Sequence, residues 1–202
     1  PDPAPAIFAD ASRHAPEDLA EVLRLHEMWV HSEGRQGLRA DLSDFDFAGQ
    51  DLRGINLMGA LLERACFANA NLVQANLALA RLNFADLRGA VLTKANLRGA
   101  SLARAILDGA DLSQANLAAI KDDGSNTRAA RTNLGAAKLK KALLVMTNLS
   151  GASLIAADLR EANLREADLT GADLTDGRFE GANLHGAQLT NARLDRARDL
   201  LL

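Results

Sequence analysis

Few chemistry-bearing residues in this chain are spaced to act together. The histidines are His14, His26, His31 and His185. His26 and His31 are five apart in a stretch with helical spacing, so they splay to different faces and do not make a metal site. His185 falls among turn residues, where solvation accounts for it. Cys66 is the only cysteine, which rules out an intrachain disulfide and makes a reducing, cytoplasmic compartment the expectation. Asp122-Asp123-Gly124-Ser125-Asn126 has the small, acidic character of a calcium loop but lacks the closing Glu and the spacing of that motif. No nucleophile stands beside a base, so neither catalysis nor any metal or cofactor is expected.

Recognition is the chemistry that remains. Lys121, Arg128, Arg131, Lys138, Lys140 and Lys141 cluster around the acidic run, opposed locally by Asp122 and Asp123. The cluster reads first as a solvated surface and second as a docking patch for an acidic partner or a phosphate. Over the whole chain, 23 Lys and Arg against 26 Asp and Glu give a net charge of −3, with both signs interspersed. That balance argues against direct nucleic-acid binding. No apolar run approaches the roughly 18 residues of a membrane span.

These residues are positioned by a five-residue repeat. Residues 157–176 write one unit four times, with Ala157, Ala162, Ala167 and Ala172 opening the units and Leu159, Leu164, Leu169 and Leu174 at their centres. Centres recur without a miss from Leu42 to Leu117 and from Leu134 to Leu194, which makes 16 units and then 13. Every centre is Leu except Phe47, Phe67 and Phe179, and Ala stands two positions before the centre in 23 of the 29 units.

A period of five fits neither helix nor plain strand, but it fits a short extended piece followed by a corner. In an extended piece residues two apart share a side, so the Ala and the centre face inward and the Asp or Asn between them faces out. The expected core column includes Leu42, Phe47, Leu52, Leu57, Leu62, Phe67, Leu72, Leu77, Leu97, Leu117, Leu134, Leu159, Leu164, Leu169, Leu174 and Phe179. Gly closes ten units, where a corner calls for positive φ or close backbone approach. One unit cannot fold alone, but a stack repeats the burial of a Leu, each worth about 1.5–3 kcal/mol. Phe45, Gln50 and Ile55 occupy the small inward slot in the first units, a taper expected beside a cap.

This pattern resembles the pentapeptide-repeat family, whose signature is A(D/N)LXX, over residues 40–196. The resemblance implies an all-β solenoid, a right-handed quadrilateral β-helix with four units per coil; spacing alone admits another polygon. On that basis Asn56, Asn76, Asn96 and Asn116 stack as an amide ladder.

The period breaks between Leu117 and Leu134, 17 residues where three steps take 15. The expectation is a loop bulging at residues 122–126 while the coil continues beneath it through two weak units, for about eight coils in all. Outward apolar residues then fall in two places. Leu143, Val145 and Met146 occupy three outward slots of one unit, and Leu61 and Phe84, with four units per coil, lie along the same side as an apolar binding stripe.

Residues 1–15 read as an arm or linker, and Pro1 in place of Met reads as part of a longer chain. A helix is expected over 16–34, with Leu19, Leu23 and Trp29 lying over the first coil as its cap. The repeat stack spans 35–196, and 197–202 form a cap or a dimer contact through Leu200, Leu201 and Leu202. In the quinolone-resistance branch that the sequence resembles, subunits pair through their C-terminal ends, which makes a homodimer one reading and a simple cap the other.

The function expected is a non-enzymatic protein-binding scaffold that presents a rigid surface and one loop to another protein. The alternative comes from the resemblance: a DNA mimic that binds DNA gyrase or topoisomerase IV and modulates or protects it. The near-neutral charge and regular repeats depart from that branch, whose members mimic DNA through strongly acidic surfaces. An enzyme would need a further domain ahead of Pro1.

Overall fold

The computed structural model describes residues 13–14, 18–120 and 130–199. From Asp41 on, each unit contributes one bridging residue and one tight turn. In the unit centred on Leu57, the Ala60 N–H donates to the Leu57 carbonyl at 3.0 Å, and Gly59 has φ 71°. One positive φ, at the third residue of a turn closed this way, is the type II pattern. The same positive φ recurs at every corner from Asp44 to Gln114 and from Ala136 to Arg196. Leu79, Phe84 and Met146 adopt it as well as glycine, so the stack imposes the corner and glycine eases it.

The turn also explains the Asp or Asn of the signature. The first turn residue has an N–H that no backbone carbonyl reaches, and the outward side chain two residues earlier accepts from it. Asp46 Oδ1 takes the Ala48 N–H at 2.9 Å, Asn96 that of Arg98 at 3.3 Å, and Asp168 that of Thr170 at 2.9 Å.

Parallel bridges join residues twenty apart, from Asp41–Leu61 to Asn96–Asn116, so four units return the chain to the same column. Between coils the Leu62 N–H donates to the Arg81 carbonyl at 2.8 Å, and the Arg81 N–H donates back to Ala60 at 2.9 Å. The inward Leu and Ala columns form one buried core, with Phe47 stacked on Phe67 at 5.2 Å. Phe179 fits because Gly177 fills its small slot, where a Cβ would lie 2.9 Å from the ring. Leu52, expected in the core, is only half-buried, although Leu42, Phe47 and Leu57 of the same first coil are buried. Gln50 of that coil is exposed and meets water.

The break differs from expectation. Bridges across it join Ser101–Asn133, Ile106–Lys138, Asp111–Leu143 and Asn116–Asn148, thirty-two apart instead of twenty, so twelve residues leave the coil. The 29 regular units thus make seven and a quarter coils rather than the expected eight. Residues 118–131 offer no Leu or Phe to fill the central column, and coiling them would leave a hole in the core.

At the N-terminal end, strand β1 (Arg13–His14) pairs in parallel with β2 (Phe45–Asp46). Helix α1 (Leu19–His31) lays Leu19, Val22 and Leu23 against the core and buries His26 completely. Pro16 and Glu17 lie outside the described residues; Asp18 precedes the helix without a capping side-chain bond. Past the helix, Gly34 at φ 85° turns the chain. Gly37 then crosses under α1 at φ 74° with no room for a Cβ, against the Leu25 carbonyl and Met28. At the other end Ala182, Leu184, Gly186 and Leu189 line a recess of about 460 Å³. Leu200, Leu201 and Leu202 lie outside the described residues.

Candidate functional site

The site is built where the chain leaves and rejoins the stack. Ile120 and Ala130 form an antiparallel pair and exchange both backbone bonds, at 2.7 and 3.0 Å. Beneath this neck lies a corner column of Leu79, Gly99 and Gly151. A Cβ at Gly99 would come within 2.9 Å of both Ile120 Cδ1 and Leu79 Cδ2 and 3.1 Å of Ala130. One at Gly151 would lie 3.1 Å from Ala119. Glycine at these corners makes room for the neck. Farther up the same column Trp29 rests against Gly59, 3.3 Å from where a Cβ would be.

Thr132 pins the neck from inside. It stands in a small inward slot that is Ala in most units, and it is fully buried. Its Oγ1 accepts from the Gly99 N–H at 2.8 Å and faces the carbonyls of Ala118 and Leu97 at 3.2 and 3.3 Å. The residue was not singled out from the sequence. The available signal was a hydroxyl in an Ala slot next to the break.

Of the expected partner-binding residues, Asp122, Asp123, Ser125, Asn126, Arg128 and also Lys121 lie outside the described residues. Arg131 and Lys138 are exposed on the rejoining coil. Lys140 and Lys141 share Glu161, at 3.1 and 3.5 Å. These lysines hold the Glu161 carboxyl below its ordinary range, Lys140 by a hydrogen bond first and charge next. Lys138 bridges to Asp158, whose carboxyl is kept low mainly by its hydrogen bond to Arg160 at 2.6 Å. Carboxylates from the next coil thus stand beside Lys138, Lys140 and Lys141, and this surface is a mosaic of both signs.

The apolar stripe is not formed. Leu143 bridges to Asp111 and Asn163, in the column of Val91, whereas Leu61 bridges to Asp41 and Arg81. These columns are two units apart around the coil. The twelve-residue departure rotates the second half by half a turn relative to the expected phase. Leu143 and Met146 are exposed, at 42% and 49%, while Val145 and Leu61 are half-buried. Phe84 is half-buried with the Arg104 guanidinium 5.8 Å from its ring centroid.

The amide ladder is present in part. Asn96 Nδ2 donates to Asn76 Oδ1 and Asn76 Nδ2 to Asn56 Oδ1, both at 3.1 Å, and Asn56 Nδ2 donates to Glu27 of α1 at 2.9 Å. Asn116 joins the column through its backbone bridge to Asn96. Among the described residues no group of His, Cys, Asp and Glu could hold a metal, and no helix is long and apolar enough to cross a membrane.

The family description "Pentapeptide repeats" matches the chain in eight copies, over residues 40–77, 80–117, 132–171 and 162–198. No curated protein sequence matches the chain. Among solved structures the chain is similar to HetL of the cyanobacterium Nostoc sp. strain PCC 7120, a pentapeptide repeat protein involved in heterocyst differentiation regulation. That match has 28% identity over 84% of this chain and 95% of HetL, with a TM-score of 0.34. It is also similar to full-length QnrB1, a plasmid-mediated fluoroquinolone resistance protein, at 23% identity over 79% of this chain and 77% of that one, TM-score 0.46. A third match is a pentapeptide repeat protein of the Arabidopsis thaliana thylakoid lumen, at 26% identity over 64% and 65% of the two chains, TM-score 0.28.

Proposed function

The chain belongs to the pentapeptide-repeat family, and on that footing we propose that it is a non-enzymatic, cytoplasmic scaffold that binds another protein. The coil is read as right-handed and quadrilateral, as the family resemblance implies. The observation that carries the reading is the departure of twelve residues from an otherwise regular stack, closed by Ile120 and Ala130 and pinned by Thr132. A filled rod needs no such interruption, and a buried hydroxyl and two fitted glycines go into holding its base. Segments fixed on rigid scaffolds are favoured places for recognition.

The charge mosaic favours this reading over a DNA mimic. Asp44 with Arg64, Asp51 with Arg53, Asp86 with Arg88 and Asp176 with Arg196 pair each carboxylate with a cation, leaving no continuous acidic face along these columns. Pairing of two copies through the C-terminal end, with Leu200, Leu201 and Leu202 as the expected contact, remains part of the proposal.

The test is affinity capture from the source organism with the intact protein beside a variant lacking residues 119–130, which joins Ala118 to Arg131 and restores the five-residue period. The expected result is a specific protein held by the intact chain and lost by a variant that melts as cooperatively. Equal capture by both would overturn the assignment to the interruption. Capture of gyrase or topoisomerase subunits would replace the general scaffold with the mimic reading.

A further inference from the structure

We propose that His26 is an acid-sensitive latch that holds helix α1 over the first coil at neutral pH and releases it on protonation. His26 is completely buried between α1 and the first coil. Its Nδ1 accepts a hydrogen bond from the Ala40 N–H at 3.1 Å, and Ala40 opens the first unit of the stack. Accepting at Nδ1 requires the neutral ring with its proton on Nε2. Nε2 is itself buried without a partner. A second proton would go to Nδ1 and set one N–H against another. The Met58 backbone favours the protonated ring, but it does not relieve Nδ1, which still faces the Ala40 N–H, and the added charge would be fully buried.

The charged groups around the site do not remove this conflict. From α1 itself Glu27 favours the protonated ring, but its carboxylate is engaged by Asn56 at 2.9 Å and lies 3.5 Å from His31. From the first coil Arg39 opposes protonation; it is held 5.8 Å from the Trp29 ring centroid, with Asp41, Glu63 and Arg81 around it. Trp29 stacks on His26 at 5.7 Å and contributes no acceptor. Burial first, and Arg39 after it, hold the imidazole below its ordinary range against Glu27 and the Met58 backbone.

The sign follows. The docked helix holds His26 neutral and the released helix lets it titrate near its ordinary value of about 6.5. Docking is therefore complete above that pH. It weakens about tenfold per pH unit below it, until the docked ring itself protonates. Release uncovers the core end beneath Leu19, Val22 and Leu23.

The test is amide hydrogen exchange of the full chain between pH 7.5 and 5, corrected for intrinsic rates, with the His26 ring followed by NMR. Protection of residues 19–31 should fall about tenfold per pH unit below about 6.5 while that of residues 95–117 holds. His26→Asn, whose Oδ1 can stand in for Nδ1 without titrating, should remove the pH response, and His31→Gln should keep it. A flat wild-type profile, a parallel loss in residues 95–117, or loss of the response in His31→Gln would each overturn the latch. If His26→Asn does not dock at pH 7.5, the wild-type profile and the His31→Gln variant decide alone.

Discussion

Thr132 Oγ1 lies 2.8 Å from the amide nitrogen of Gly99, thirty-three residues earlier in the chain. This bond couples the point where the stack resumes to the last full coil before the break. Gly99 also carries the neck, since Ile120 and Ala130 rest where its side chain would be.

Thr132→Val keeps the shape but leaves the half-buried Gly99 N–H without its acceptor. The expected loss is about 1–3 kcal/mol by chemical denaturation, with faster exchange at Ile120 and Ala130. Thr147 is the internal control: its Oγ1 donates to the Leu112 carbonyl at 2.8 Å and accepts from no backbone N–H. Thr147→Val should cost less. Equal effects would mean that the neck is not held by Thr132.

Depth in the stack sets the cost of truncating a centre. Leu97 is fully buried with coils on both sides, and Leu97→Ala should destabilise by about 2–5 kcal/mol. Leu52, half-buried in the first coil, should lose clearly less on the same change. Denaturation midpoints of the two variants check the ordering, and a reversed order would contradict the column as described.

Gly37→Ala tests the cap separately from the rod. Its Cβ would overlap the Leu25 carbonyl, which is backbone and cannot swing away, and the φ of 74° disfavours any side chain. Trp29 is the only tryptophan, so its fluorescence reports α1 alone. The variant should show an exposed Trp29 while the far-ultraviolet signal of the stack persists. Unchanged fluorescence would place the crossing elsewhere.

Much of this architecture was legible because one side chain does one task per unit. Leu fills the column, Ala leaves it room, and Asp or Asn ties down the turn N–H. The Asn76–Asn96 contact followed from their spacing once four units made a coil. The path through the break was not legible. Residue counts gave two extra positions, but five-residue phase cannot distinguish two extra residues from twelve. Only the absence of a central Leu or Phe between Leu117 and Leu134 marked the longer departure, and weighing that hole in the core would have moved Leu143 off the side of Leu61. The Lys140–Glu161 pair was hidden for a related reason: its partner lies one coil on, and depends on register rather than local sequence. The role of His26 was not legible either, because its acceptor bond needs the Ala40 backbone brought beneath it.

The register across the break is the central structural claim, and side-chain nuclear Overhauser contacts test it most directly. The account predicts contacts from Ile106 to Lys138 and from Leu143 to Asp111 and Asn163. Contacts from Leu143 to residues near Lys121 instead would mean that the coil continues through the break with two residues extra. In that case the twelve-residue departure, and the site built on it, would be wrong.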